Sequence, residues 1–195
     1  MDTRTLATTI VFAAVTIALN PAISGIGIPA PYAPYLIYQI WEIPIVAAFV
    51  LINKKAAISI AILNAVILAI VFPGFLPSGP IYNFIAILAT LFGIYIIQNI
   101  YKNKNSTSVE AKGIDYTKTR FVLFSTVIAI ILRVVVMTIV NYIVLRLSYP
   151  FGLLMPELAI LVELPFIGLF NATLLLYTVP LGLFIAKAIN KNLNL

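Results

Sequence analysis

Cysteine and histidine are both missing from this 195-residue chain. Without cysteine there is no disulfide, no thiolate ligand and no thiol nucleophile. Without histidine the commonest general base and metal ligand near neutral pH is gone. Acidic residues number only six, and none of them forms an Asp-rich metal motif. Most catalytic chemistries are therefore poorly supplied, and the sequence points to no metal site and no cofactor. A Gly-x-x-x-x-Gly-Lys-Ser/Thr phosphate loop is also absent, so the chain cannot hydrolyse ATP by that route. Charged residues of all kinds make up 9% of the chain, against about 25% in a soluble domain. Hydrophobic residues fill 63% instead, too many for polar groups to cover a globule. The composition reads as an integral membrane protein.

The few charges are ordered along the chain. Ten of the twelve Lys and Arg residues fall in four gaps between apolar runs: at Arg4, at Lys54–Lys55, from Lys102 to Arg120, and at Lys187–Lys191. The intervening gaps, residues 25–34, 73–80 and 148–157, hold none. Cytoplasmic loops keep Lys and Arg, and translocated loops lose them. A spanning helix needs roughly 20 apolar residues. Six segments qualify, at about 6–24, 35–52, 56–72, 81–101, 121–147 and 158–186. The expected architecture is an all-α, multi-pass membrane protein, one domain over residues 1–195, with six transmembrane helices and both termini cytoplasmic. Arg4 before an apolar stretch ending in Asn20-Pro21-Ala22 has the outline of a signal peptide. The run is long enough to span, and parity requires it, so it is read as a retained first helix. Residues 102–119, rich in Lys, Asn, Ser and Thr, read as a cytosolic linker. The stretch Ser148-Tyr149-Pro150-Phe151-Gly152 is too apolar for a solvated loop and suits a lid. The +6 net charge does not suggest nucleic acid. It sits where anionic lipid headgroups or an acidic cytosolic partner would meet it.

Counting at about 1.5 Å per residue gives depth. Glu42 precedes Lys54 by twelve residues, which places it roughly 18 Å from the inner edge. Asn20, Tyr82, Asn83, Asn141, Tyr142 and Glu163 also fall in the outer half, and Arg133 and Asn171 nearer the middle. Such groups are costly against lipid and should face the bundle interior. Tyr38, Trp41 and Glu42, spaced three and four apart, would share a helix face and form one wall of a ligand pocket. Each has a plainer reading as well. A lone Asn bonds a neighbouring helix, Arg133 with Glu42 or Glu163 forms a structural ion pair, Arg146 snorkels to the interface, and Tyr32, Tyr35, Tyr38 and Trp41 form an aromatic belt. On the first helix Ala7, Ala14, Ala18 and Ala22 line up, the last three at four-residue spacing. Small residues so placed let another helix approach closely, either inside this protein or from a partner.

Several stretches carry a family likeness. Glu42-Ile43-Pro44 precedes an apolar helix. Val136-Met137-Thr138-Ile139-Val140-Asn141-Tyr142 is followed by Tyr149-Pro150, and Leu164-Pro165-Phe166 by Asn171. Together with six helices, inside termini and an Ala-rich first helix, they resemble the S component, the substrate-binding subunit of energy-coupling factor (ECF) vitamin transporters, the riboflavin type most of all. The riboflavin-type pattern carries a Lys shortly after the sixth-helix Asn, where this chain has Ala172-Thr173-Leu174, and its second-helix acid is Asp where this chain has Glu42. Both departures touch the binding site and leave the vitamin open.

The resemblance implies a small-molecule vitamin captured from outside the cell membrane. It also implies docking through Ala14 and Ala18 onto an ECF transmembrane subunit driven by two cytosolic ATPase subunits. Tyr38, Trp41 and Tyr142 would then pack on the vitamin ring. Glu42, Asn83, Asn141, Glu163 and Asn171 would supply hydrogen bonds, with Arg133 orienting an acid or attracting an anionic edge. Two other classes stand beside this one: a small solute transporter or scaffold acting without ATPases, and an intramembrane enzyme using Glu42 or Glu163 as acid or base.

Overall fold

The computed structural model describes residues 3–71, 76–105 and 118–193. Most of the linker expected at 102–119, and part of the loop expected at 73–80, lie outside the described residues. Among the described residues seven helices and one hairpin follow in order: α1 Thr3–Ala18, α2 Pro21–Ser24, β1 Ile28–Ala30, β2 Ala33–Tyr38, α3 Glu42–Leu51, α4 Lys54–Val71, α5 Gly79–Asn105, α6 Thr119–Val144 and α7 Glu157–Leu193. Four of these, α4 to α7, have the length and apolar composition to cross a membrane, while α1 and α3 are shorter apolar helices. The protein is a multi-pass membrane protein with a large apolar exterior. On α6 the outward row Val127, Ile131, Val135 and Ile139 is exposed, and the inward row Ser125, Ala129, Arg133 and Met137 is buried. That is a helix sorting its faces between lipid and bundle.

The expected second helix, 35–52, is not one helix. Its first part is strand β2, paired antiparallel with β1 so that Ile28 faces Tyr38 and Pro29 faces Ile37. Only its second part, the ten residues of α3, is helical. Pro29, Pro31 and Pro34 oppose a helix here, and the aromatic and β-branched run Tyr35-Leu36-Ile37-Tyr38 suits a strand. At 1.5 Å per residue α3 covers about 15 Å, half a bilayer core. Non-helical backbone is tolerated at the remaining depth where its polar groups are paired and protein surrounds it. The hairpin meets both conditions by its own ladder and by packing β2 against α7. The all-α expectation is corrected to this extent.

Helix α6 packs between α5 and α7, and α3 lies against α1, α4 and α7. A Cβ at Gly93 of α5 would sit 2.6 Å from the Ala129 Cα of α6, so glycine lets the two backbones nearly touch. The main core joins Phe12, Ile45, Val46, Ile60, Ile94, Phe121, Leu175 and Leu183. At one end of the bundle Tyr101 of α5 meets Phe121 of α6 edge-on, and the Lys54 ammonium lies over the Tyr95 ring. The hairpin, the start of α5, the end of α6 and the start of α7 meet at the other end. Pro165 and Pro180, expected as places for the long last helix to kink, both lie inside the continuous helix α7.

Candidate functional site

A cavity of about 580 Å³ opens at the hairpin end. Three helices present regularly spaced faces to it: Gly79, Tyr82, Asn83 and Ala86 on α5; Arg133, Met137 and Asn141 on α6; Glu163, Ile167, Phe170 and Asn171 on α7. These are steps of three and four, the spacing that brings side chains onto one helical stripe. Tyr35, Leu36 and Gln39, from β2 and the residue after it, close one side, and Leu145, Leu153 and Met155 of the α6–α7 connection close another.

Arg133 anchors the floor. Its Nη1 and Nη2 donate to the two carboxylate oxygens of Glu42 at 2.5 and 2.8 Å, a bidentate pair with both residues almost wholly buried. Nε donates to Asn171 Oδ1 at 2.8 Å, and Nη1 also donates to Thr90 Oγ1 at 3.2 Å. The partners are themselves held: Asn171 Nδ2 donates to the Ile167 carbonyl and the Thr90 hydroxyl to the Ala86 carbonyl. Glu42 stands in the first turn of α3, where the helix dipole favours a negative charge. Four elements thus converge on one guanidinium. A buried charge survives only with this kind of full pairing.

Other polar groups in the cavity are less engaged. Asn141 Nδ2 donates to the Met137 carbonyl, which leaves its side-chain oxygen open. Among the described residues no partner is found for the Asn83 amide or the Gln39 side chain, both of which line the cavity. Tyr35 donates its hydroxyl to Glu163 Oε2.

The α6–α7 connection folds over this end. The Ser78 hydroxyl donates to the Pro150 carbonyl at 2.8 Å and Tyr82 to the Phe151 carbonyl at 2.6 Å. A Cβ at Gly152 would lie 1.9 Å from the Val144 carbonyl oxygen, so only glycine fits where the chain doubles back onto α6. The stretch expected as a lid is tied to the start of α5 through the Pro150 and Phe151 carbonyls, with Ser148 to Phe151 exposed and only Gly152 buried.

Of the residues singled out from sequence, Asn83, Arg133, Asn141, Glu163 and Asn171 line the cavity together. Glu42 stands behind Arg133. The shared helical face of Tyr38, Trp41 and Glu42 is corrected, because Tyr38 is on a strand and Trp41 only precedes α3. Trp41 is buried in the main core, its Nε1 without a hydrogen-bond partner. Tyr38 packs on Phe170 and shares hydroxyl contacts of 2.6 Å with Tyr32 and Thr173, beside the cavity. Tyr142 stacks under the Arg146 guanidinium, which pairs with Glu157 at 2.7 Å on the exposed rim. The aromatic rings that do line the cavity are Tyr35, Tyr82 and Phe170. Sequence reasoning placed Tyr82 beside Asn83 in the outer half and Tyr35 in an aromatic belt but gave none of the three rings a ligand contact, and it passed over Gln39. Tyr82 adjoins Asn83 and Phe170 adjoins Asn171, so stripe spacing alone would have found them. Among the described residues no group of His, Cys, Asp or Glu is placed to hold a metal.

The solved S component of a bacterial ECF transporter matches this structure with a TM-score of 0.73, over 97% of each chain, at 21% sequence identity. The fold is that of an S component. No family profile and no curated protein sequence matches the chain, so the likeness lies in three-dimensional structure. The neighbour is a transport subunit rather than an enzyme. In this chain the S-component fold carries its cavity at the end remote from Lys54, Lys102, Arg120 and Lys191. Ala7, Ala14, Ala18 and Ala22 of α1 and α2 are all exposed on the outside of the bundle.

Proposed function

We propose that this chain is the membrane-embedded substrate-binding subunit of an ECF-type ABC transporter. It captures a water-soluble vitamin with an aromatic ring, riboflavin or a similar one, from outside the cell membrane. The observation that carries the reading is the cavity: it lies in an S-component fold, at the end opposite the basic termini and loops. Its volume falls within the roughly 300–1,000 Å³ usual for small-molecule sites. Tyr35, Tyr82 and Phe170 offer flat apolar walls for a ring, and Asn83, Asn141, Gln39 and Glu163 offer hydrogen bonds. Glu42, Thr90 and Asn171 hold Arg133 in place, while Tyr38 packs on Phe170 from behind the wall. The exposed strip at Ala14 and Ala18 would receive a transmembrane partner that couples to two cytosolic ATPases, since the chain carries no phosphate loop.

Gentle purification followed by mass spectrometry should find an aromatic vitamin retained, and calorimetry should show the emptied protein rebinding it. Co-purification from the native membrane should bring down a large membrane subunit and two ATPases. Ala18→Leu should abolish that capture while leaving vitamin binding unchanged. Solute uptake by the chain alone in proteoliposomes would instead favour a transporter that works without ATPases.

A further inference from the structure

Only two charged residues line the cavity among those described, Arg133 and Glu163. Their situations differ. Arg133 is already neutralised by Glu42 through two hydrogen bonds, with Nε spent on Asn171 and the second Nη1 hydrogen on Thr90. Of its five donor hydrogens, one on Nη2 remains without a protein acceptor. A ligand therefore meets a neutral, nearly saturated ion pair rather than a free cation. Glu163 has no such counter-charge. Its carboxylate accepts from the neutral Tyr35 hydroxyl, and among the described residues no Lys or Arg pairs with it. The one other cation at this end, Arg146, is matched by Glu157 on the exposed rim. Glu42 and Arg133 cancel in the buried floor, so a Glu163 carboxylate, at its more exposed contact with Tyr35, is the one charge of the three left unmatched.

We infer that this cavity selects neutral or cationic ligands and rejects anions, with Glu163 as the specificity-determining residue. Arg133 then acts as a fixed structural cation that gives at most one hydrogen bond to a ligand, and it does not serve as an anchor for a carboxylate or phosphate. The free Glu163 oxygen is an acceptor for an N–H, an O–H or a cationic group, and the Asn141 oxygen is a second acceptor. A ligand rich in donors on the edge that faces α6 and α7 fits this pair. An anionic group would meet carboxylate repulsion with no unpaired cation to offset it.

This inference rests on the cavity being the solute site, and calorimetry with matched probes separates the two ideas. Riboflavin, riboflavin 5′-phosphate, thiamine and biotin supply a neutral compound, its dianionic counterpart, a cation and a carboxylate. The expected result is binding of a neutral or cationic member, with the anions weaker by about tenfold or more. Glu163→Gln should shrink the gap between riboflavin and its phosphate, or lower affinity for the cation, whereas Glu163→Asp should largely restore the wild-type preference. An anion bound as tightly as its neutral counterpart would overturn charge selection and leave the vitamin-binding reading standing. A gap unmoved by Glu163→Gln would remove Glu163 from the role. If no member binds and no vitamin is retained on purification, the solute-site reading fails and takes this inference with it.

Discussion

Arg133 holds the largest number of side-chain partners in the site, and its burial makes each of them consequential. A charge in low dielectric is tolerated because Glu42 is bound to it through both oxygens. Removing one partner strands the other, which in buried pairs costs about 3–5 kcal/mol. Arg133→Met should therefore lower thermal stability in detergent severely, and Glu42→Gln should do so to a comparable degree. The double variant should be distinctly more stable than the sum of the two losses predicts, because neither charge is then left alone. Simple additivity in that cycle would mean that the pair is not coupled. Arg146 and Glu157 make the contrast. Their pair is exposed, and Arg146→Ala should change stability by no more than about 1 kcal/mol. At this scale much of the site was legible in advance, because Asn83, Arg133, Asn141, Glu163 and Asn171 are expensive in a membrane wherever they do not face protein. What could not be read was which of two acids Arg133 would take. That depends on α3 starting at residue 42, and no local pattern states it.

Among the elements, the site is built from stripes on α5, α6 and α7, so their relative placement matters as much as any side chain. A close approach of Gly93 to Ala129 sets α5 against α6. Gly93→Ala puts a methyl within 2.6 Å of backbone, where no rotamer change relieves it. The helices must part, at a cost of about 1–3 kcal/mol, and the Asn83 and Asn141 stripes part with them. Thermal melting should fall and ligand affinity should weaken together. Gly168→Ala, whose new methyl would meet only Val134 at an ordinary 3.7 Å, is the matched control and should leave affinity unchanged and melting unchanged or slightly raised, as alanine favours a helix interior. The last four helices were evident from long apolar runs and their turn residues. The second segment was misread because Tyr35 to Val50 is an unbroken, largely apolar stretch, and apolarity alone does not distinguish a strand from a helix. The three prolines from 29 to 34 marked a loop, but they could not show that it folds back into a hairpin. That hairpin brings Tyr35 and Gln39 to the cavity, so both were invisible before the topology was known.

For the whole molecule, the decisive property is asymmetry between its two ends. Arg4, Lys54, Lys55, Lys102, Lys118, Arg120, Lys187 and Lys191 mark one end of the helices. The cavity end has Arg146, matched by Glu157, and the buried Arg133 matched by Glu42. The positive-inside rule predicts that the cavity faces out of the cell, the orientation that the proposed capture of a solute for uptake requires. The absence of cysteine makes this directly measurable, since any introduced thiol is the sole labelling site. Ser148→Cys lies in the cover beside the cavity, and Asn190→Cys near the end of α7; both positions are exposed. A membrane-impermeant maleimide applied to intact cells should label S148C at once and N190C only after permeabilisation. If N190C is the one that labels from outside, the cavity opens to the cytosol and capture for uptake is ruled out, however well the pocket binds its ligand. If both label as expected, adding ligand supplies a further measurement. Ser148 sits in the segment whose carbonyls accept from Ser78 and Tyr82, so a bound solute that tightens the cover should slow labelling of S148C and leave N190C untouched.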